Sequence, residues 1–376
     1  MNETPHGVVL GMYGANALGV TRALGREDIP VAGFHVGGRY PHARHSKYLT
    51  EFHNPSGVAE LLDELGEFGH KHRTQTGKKA VVYTTGDAYV LLAQDMREDM
   101  GDLFHLPVSN KYDLRDLTHK QRIAEIAEPF GFHVPHTILL SELNSSRLDE
   151  FEGRVICKPP YSNGFSKEDF YIFEDARTAL TSRDEMLEKH EEYVISDFIE
   201  GGTDKRVEVH TCLTGRPIIA LMLKGDRVYD SQDVIIPITD ISTWIPSLVD
   251  PSSAFTRGVG FHGPMDINVK IGPDGRAYYL ETNFRSSANI ALDIEAGLNM
   301  PALLYRYFND MRNEDLISRQ IRKGLVWMDE SKAPDGEWEK NPADVYAFQA
   351  DDDPEPFEKS RAEGKLSFQF QRDINK

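Results

Sequence analysis

Two apolar runs, Met265-Asp266-Ile267-Asn268-Val269 and Tyr278-Tyr279-Leu280-Glu281-Thr282-Asn283-Phe284-Arg285, flank the tetrapeptide Gly272-Pro273-Asp274-Gly275. Proline presets φ and glycine accepts left-handed backbone, so this tetrapeptide is a turn and the two runs fold back as an antiparallel hairpin. The hairpin brings Asp266 near Glu281 and Asn283. Residues two apart on a strand share a face, so Glu281, Asn283 and, by the same parity, Arg285 point one way. Carboxylate and amide oxygens are the hard ligands that magnesium takes beside substrate phosphates, and the planar fork of an arginine suits a phosphate. The alternative is an ordinary hairpin whose polar side meets solvent, the commoner fate of acidic residues in antiparallel sheets. For the hairpin taken alone the two readings stand level.

The chain opens differently. Val8 to Leu10 reads as a buried strand, Gly11 to Gly14 as a turn, and the residues through Leu24 as a helix; Pro30 to Val36 supplies a second strand. A helix from Val58 to Phe68 and a strand from Ala80 to Tyr83 continue a doubly wound α/β unit, and Thr84-Thr85-Gly86-Asp87 follows as a ligand-facing turn with a helix N-cap. A dinucleotide site is weighed and set below a packing role for Gly11, Gly14 and Gly19, because the spacing is not G-x-G-x-x-G and no acid ends the second strand at His35-Val36-Gly37.

Asp116 to Phe130 is expected as one helix bearing Lys120, ended by Gly131 and Pro135. Strands are then expected over Arg154–Lys158, Phe170–Phe173, Tyr193–Phe198, Arg206–Leu213, Pro217–Leu223, Met265–Ile271 and Ala277–Glu281, which makes this region antiparallel α+β. A helix from Ala302 to Met311 follows, then a tail in which Asp351-Asp352-Asp353-Pro354 reads as an exposed turn and Lys224-Gly225-Asp226-Arg227 earlier as a hairpin end.

Composition narrows the partners. The 376 residues hold 60 acidic against 42 basic side chains, a formal charge of −18, which disfavours nucleic acid and anionic membrane as partners. Cys157 and Cys212, the two cysteines, sit in no metal or redox spacing and suit a reducing cytoplasm. Neither a signal peptide nor a membrane span is expected, and a homodimer is the ordinary expectation for the oligomer.

Four elements in order carry a resemblance. Asp266 followed by Glu281-x-Asn283-x-Arg285 is similar to the metal signature of the ATP-grasp superfamily. Thr118-His119-Lys120 with Gly131-x-x-x-Pro135 resembles its lysine-bearing helix, and Val155 to Ser166 its second lysine strand and glycine-containing loop. Val194-Ile195-Ser196-Asp197-Phe198-Ile199-Glu200-Gly201-Gly202 resembles its adenine hinge. Tyr83 to Asp87 and Arg285 to Asn289 look closest to the carboxylate–amine ligase branch that includes D-aspartate ligases.

The resemblance spans roughly residues 116–300 and implies a pre-ATP-grasp domain over 1–115, an ATP-grasp fold of two α+β subdomains over 116–200 and 201–310, and a C-terminal extension over 311–376. It implies that Lys120, Lys158, Ser162, Gly164, Asp197, Phe198, Ile199 and Asp204 meet ATP. It assigns Asp266, Glu281 and Asn283 to Mg2+, with Mn2+ able to substitute; the turn is slightly longer than the pattern, so Asn268, on the same strand face, is expected to share or replace the role of Asp266. Arg285, Asn289 and Arg257 are the implied catalytic residues. The activity implied is amide formation between a small carboxylate and an amine through an acyl phosphate, with release of ADP and phosphate. Alternatives are a carboxylase or small-acid ligase using bicarbonate, a nucleotide-binding regulatory protein and, furthest off, a nicotinamide enzyme. Arg39, His42, Arg44 and His45 form a cationic loop that either binds a substrate carboxylate or is simply solvated.

Overall fold

Strands apolar on both faces need cover on both sides, and the first third of the chain supplies it. The computed structural model describes residues 4–161, 169–201, 206–223, 227–229, 232–237, 246–311, 322, 324–332 and 342–366. In it, β1 (Gly7–Leu10), β2 (Val31–Phe34), β3 (Leu49–His53), β4 (Ala80–Thr84) and β5 (Phe104–His105) pair in parallel in the order β3-β2-β1-β4-β5. The connections are α1 (Gly14–Gly25), α2 (Val58–Thr76), α3 (Asp87–Asp95) and α4 (Arg97–Met100). Strand order reverses between β1 and β4, which opens a crevice at their carboxyl ends. Gly11 lines that crevice with φ +90, and a Cβ there would lie 2.6 Å from Thr85 Oγ1. No ribose acid stands at the end of β2: His35 accepts from Met12 N–H at Nδ1 (3.3 Å), and its Nε2 lies 2.7 Å from the Arg39 carbonyl.

The helix expected over Asp116–Phe130 is interrupted. α5 (Leu114–Thr118) and α6 (Lys120–Ala127) meet at His119, whose extended backbone (φ −81, ψ 121) caps the second helix. β6 (Thr137–Leu139), β7 (Val155–Lys158), β8 (Tyr171–Phe173) and β9 (Val194–Asp197), with α7 (Ala176–Thr181) and α8 (Arg183–Lys189) between β8 and β9, make an antiparallel sheet in the order β6-β9-β7-β8. Its own small core includes Ile138, Val155, Cys157 and Ile195.

Downstream lie β10 (Arg206–Thr214), β11 (Arg216–Leu223), β12 (Arg227–Tyr229), β13 (Gln232–Pro237), α9 (Val249–Val259), β14 (Met265–Ile271) and β15 (Ala277–Asn283). The sheet β11-β10-β14-β15 is antiparallel, and Gly275 (φ 76) closes the β14–β15 turn onto the Gly272 carbonyl at 3.0 Å. Asn268 pairs with Glu281 but Val269 pairs with Tyr279, so Leu280 is one extra residue in β15. This bulge is the reason the turn looks long, and it reverses the parity: Tyr279 and Thr282 both face the apolar core, joined at 2.7 Å, while Glu281 and Asn283 face the other side. β11 and β12 belong to different sheets, so Arg227 opens a strand of a second sheet; Lys224 to Asp226 lie outside the described residues.

α10 (Ile290–Glu295) and α11 (Met300–Phe308) pack with α1 in one apolar cluster that includes Leu18, Leu292 and Leu303. β16 (Val326–Met328) and β17 (Val345–Tyr346) join β12 and β13 in the order β12-β13-β16-β17, and α12 (Glu355–Ala362) returns to the first unit. The acidic run is not exposed as a whole. Asp353 is 1% accessible and accepts from Arg22 Nε (2.9 Å), Ser46 Oγ (2.8 Å) and Lys47 N–H (2.9 Å), while Asp352 takes Arg26 and Tyr48. The cationic loop is not solvated throughout either. His42 is buried beside Ser360 Oγ (3.0 Å), which pushes its imidazole down to about 4 by desolvation, and Arg44 meets Glu363 at 3.6 Å. Arg39 stacks its guanidinium over the Tyr13 ring at 4.7 Å. No helix among the described residues is long and apolar enough to cross a membrane.

Candidate active site

Three strands build one polar face. β10, β14 and β15 place His210, Asp266 and Asn283 directly opposite one another, and in the neighbouring row Glu208, Asn268 and Glu281. The reverse face carries Val207, Val209, Ile267, Val269 and Tyr279, covered by Phe255 and Val259 of α9. A sheet apolar on one side and packed there leaves its other side to chemistry.

On that face Asp266, 2% accessible, accepts from Asn268 Nδ2 and Asn283 Nδ2, both at 3.1 Å. Asn283 Oδ1 accepts from Arg285 Nη2 at 3.3 Å, and Arg285 Nε donates to Asp87 Oδ1 at 2.8 Å. Asp87 opens α3, so this ion pair ties the hairpin to the crevice of the first sheet. Asn289 caps the end of the segment, with Nδ2 donating to Glu208 Oε2 at 2.8 Å.

Glu281 and Asn283 line a cleft of about 380 Å3 together with Asp87, Lys120, Tyr161 and Thr282. The His119 break aims Lys120 into it: the backbone N–H of Lys120 donates to the Pro160 carbonyl at 2.8 Å, which fixes the first turn of α6 against the end of β7. Burial drives the Lys120 ammonium down to about 8; Lys158 adds to this, and Glu281 and Asp87 oppose it. Lys158, the last residue of β7, is likewise lowered by burial and opposed by Glu281. Two ammonium groups and a carboxylate are therefore close enough to act on one another. Such a set can neutralise a polyphosphate and, with the oxygens of Glu281, Asn283 and Asp266, a hard divalent cation beside it; the donors fit magnesium by their chemistry.

The hinge residues lie at the end of β9. Asp197 Oδ2 accepts from His136 N–H at 3.1 Å, and burial raises its carboxyl. The Phe198 ring is held between the Arg154 guanidinium (4.6 Å) and Lys270 Nζ (5.1 Å), and Lys270 Nζ donates to the Ile199 carbonyl at 2.6 Å. Lys270 was not singled out in the sequence, although alternation places it on the face of Asp266 and Asn268.

Arg257 stands apart. It lies in the last turn of α9 with an exposed side chain, its carbonyl takes Lys111 Nζ at 3.2 Å, and it does not line the cleft. Ser162, Gly164 and Asp204 lie outside the described residues. Sequence reasoning also passed over Glu208, His210 and Asp293. All three are at most 2% accessible, and His210 Nδ1 lies 2.7 Å from Asp293 Oδ2. Burial opposes protonation of His210, but Asp293, Glu208 and Asp266 outweigh it and hold the imidazole well above its ordinary range. The signal was present in part: Glu208-x-His210 puts two polar residues on one face of an otherwise apolar strand.

No family model and no curated protein matches the chain. Solved structures do. N5-carboxyaminoimidazole synthetase from Staphylococcus aureus in complex with ADP aligns with a TM-score of 0.65 at 12% identity over 87% of this chain and 82% of that one. The biotin carboxylase domain of the Hydrogenobacter thermophilus 2-oxoglutarate carboxylase, solved with MgADP and bicarbonate, aligns at 0.64 and 12% over 86% and 74%. An L-amino acid ligase from Bacillus licheniformis aligns at 0.62 and 13% over 86% and 79%. These likenesses are of architecture, and on them the chain has the ATP-grasp fold.

Proposed function

We propose that this protein is an ATP-dependent carboxylate–amine ligase. The observation that carries the reading is the cleft lined by Lys120, Glu281 and Asn283, with Lys158 near enough to act on Lys120 and Glu281 by charge and Arg285 beside Asn283. Lys120 and Lys158 hold the phosphates of ATP, and the backbone near Phe198 and Ile199, with Asp197 behind it, forms the edge for the base. Asp266, Glu281 and Asn283, with Asn268 behind them, hold Mg2+, which supplies neutralisation of phosphate charge when bound. Arg285, oriented by Asp87, faces the transferred phosphoryl group and Asn289 the acyl substrate. A carboxylate oxygen of the substrate takes the γ-phosphoryl with loss of ADP, an amine then attacks the acyl carbon, and phosphate leaves. Burial of Lys120 at the cleft wall limits the water that reaches the acyl phosphate. The division into residues 1–115, 116–200, 201–310 and 311–376 is part of the same reading, as are a cytoplasmic setting for the two thiols and a homodimer.

The test is phosphate release from ATP and Mg2+ over paired panels of amino acids and small carboxylates, with Glu281→Gln as control. Release that needs one acid and one amine and is lost in Glu281→Gln supports the ligase; undiminished release in Glu281→Gln discards the metal assignment. A second reading, phosphorylation of bicarbonate, is favoured by the comparable alignment with the biotin carboxylase domain. Release driven by bicarbonate without an amine would select it.

A further inference from the structure

The polar face does not stop at the cleft. Behind Asn283, away from the two lysines, the row continues through Asp266 to His210, with Glu208 beside it on β10. The donor atoms of Glu208, His210 and Asp266 all lie within 4.8 Å of one another, each in a residue 2% accessible. His210 Nε2 has no hydrogen-bond partner; it lies 3.6 Å from Glu208 Oε2 and 3.9 Å from Asp266 Oδ1.

We propose that Glu208, His210 and Asp266 bind one divalent first-row transition cation, zinc being the probe, at a site separate from the nucleotide metal. The tautomer argues for it. Asp293 Oδ2 at 2.7 Å accepts the Nδ1 proton and turns Nε2 toward the two carboxylates, where the cation takes the place of the Nε2 proton, the carboxylate–histidine–metal arrangement that fixes a ligating imidazole. The spacing argues for it too. An N–H donor draws a carboxylate oxygen to about 2.8 Å, whereas two donors bound at about 2.1 Å to one tetrahedral ion stand about 3.4 Å apart. The observed 3.6 and 3.9 Å are closer to the second figure. The oxygens nearest Nε2 are themselves oriented by amides, Asp266 Oδ1 accepting from Asn268 Nδ2 at 3.1 Å and Glu208 Oε2 from Asn289 Nδ2 at 2.8 Å, which leaves each a second lone pair for the ion. A mixed imidazole and carboxylate set selects a transition cation over calcium or magnesium. The ion cross-links β10, β14 and, through Asp293 and Asn289, the start of α10.

The site shares Asp266 with the nucleotide-metal reading, so the experiment is done without nucleotide. Full-length protein stripped with EDTA is dialysed against zinc, and bound metal is counted by mass spectrometry for wild type, Glu281→Gln, His210→Gln and Asp293→Asn. The expected result is one zinc per chain in wild type and Glu281→Gln, none in His210→Gln, and an affinity 10- to 100-fold weaker in Asp293→Asn, the loss on the order of that known for such supporting carboxylates. Wild-type protein loaded with Mn2+ should also show nitrogen modulation in its electron spin echo, a readout that stands even where His210→Gln does not fold. Wild type that takes up no zinc, or uptake unchanged in folded His210→Gln, overturns the proposal. Loss of zinc in Glu281→Gln overturns it as well, by returning the ion to the cleft, while leaving the ligase reading to its own assay.

Discussion

Removing the Arg22 guanidinium should release the C-terminal segment from the first unit. Arg22, 4% accessible, donates through Nε to Asp353 Oδ2 (2.9 Å) and through Nη2 to the carbonyls of Phe348 (2.8 Å) and Asp353 (2.7 Å). In Arg22→Met the methylene stem is kept but Asp353 remains buried with only Ser46 Oγ and the Lys47 N–H to satisfy it. Breaking a buried pair from one side costs about 3–5 kcal/mol. At about 1.4 kcal/mol per tenfold, that is a fall of about two to three and a half orders of magnitude in amide-exchange protection across residues 344–364. The assay is native-state hydrogen exchange read by mass spectrometry on peptides from that segment. Because the cost is mainly that of an orphaned carboxylate, Arg22→Met with Asp353→Leu should recover a substantial part of it. A loss under tenfold in Arg22→Met, or a double variant worse than the sum of the singles, would refute the reasoning.

Three further outcomes are expected. Lys120 has a folded pKa of about 8 against 10.5 in the free side chain, so between these values the unfolded chain binds more protons and the stability contributed by this group rises with pH. The advantage of Lys120→Met over wild type in urea unfolding should therefore shrink by about 2–3 kcal/mol from pH about 7 to about 10.5; a constant difference would count against the burial of this lysine. Gly19 of α1 packs on α10, where an added Cβ would stand 2.4 Å from Ile290 Cγ2, so Gly19→Ala should cost about 1–3 kcal/mol by overpacking and disturb the helix that carries Asp293. Wild-type stability in that variant would show that the contact yields freely. Burial pushes the thiols of both Cys157 and Cys212 up to about 12, so neither should react with a disulfide reagent at pH about 8 until the chain unfolds. One thiol titrated in the native protein would refute this.

What could be read from the chain follows the range of the interactions. The continuous apolar strands β1, β2 and β4 carry their own signal, whereas β3, half-buried in alternation, and the two-residue β5 exist because neighbours offer an edge to pair with. The turn at Gly272–Gly275 is local chemistry and was legible; the Leu280 bulge was not, since strand parity assumes a regular ladder. Lys120 and Lys158 are separately unremarkable lysines, and only their order with the hairpin motif drew attention to them. Glu208 and His210 shared a visible spacing of two, but their partner Asp293 lies 83 residues on, and Asp353 lies 331 from Arg22. No local pattern encodes such distances, which is why the acidic turn was expected at the surface. Arg257 shows the reverse case, a cation singled out by its proximity to glycines whose side chain helix α9 leaves exposed.

The bulge at Leu280 also marks a place tolerant of sequence change. Its side chain is only half-buried, so other strand-forming residues can stand there at small cost. The backbone unit itself can be removed in register: with Leu280 deleted, Tyr279 stays opposite Val269 and Glu281 follows opposite Asn268, so the ladder runs regular with Glu281 and Asn283 still on the polar side. Variation at this position is therefore free in identity and, by one residue, in length: a one-codon deletion there would remove the local bend and twist that the bulge gives β15 and leave its polar row facing the cleft.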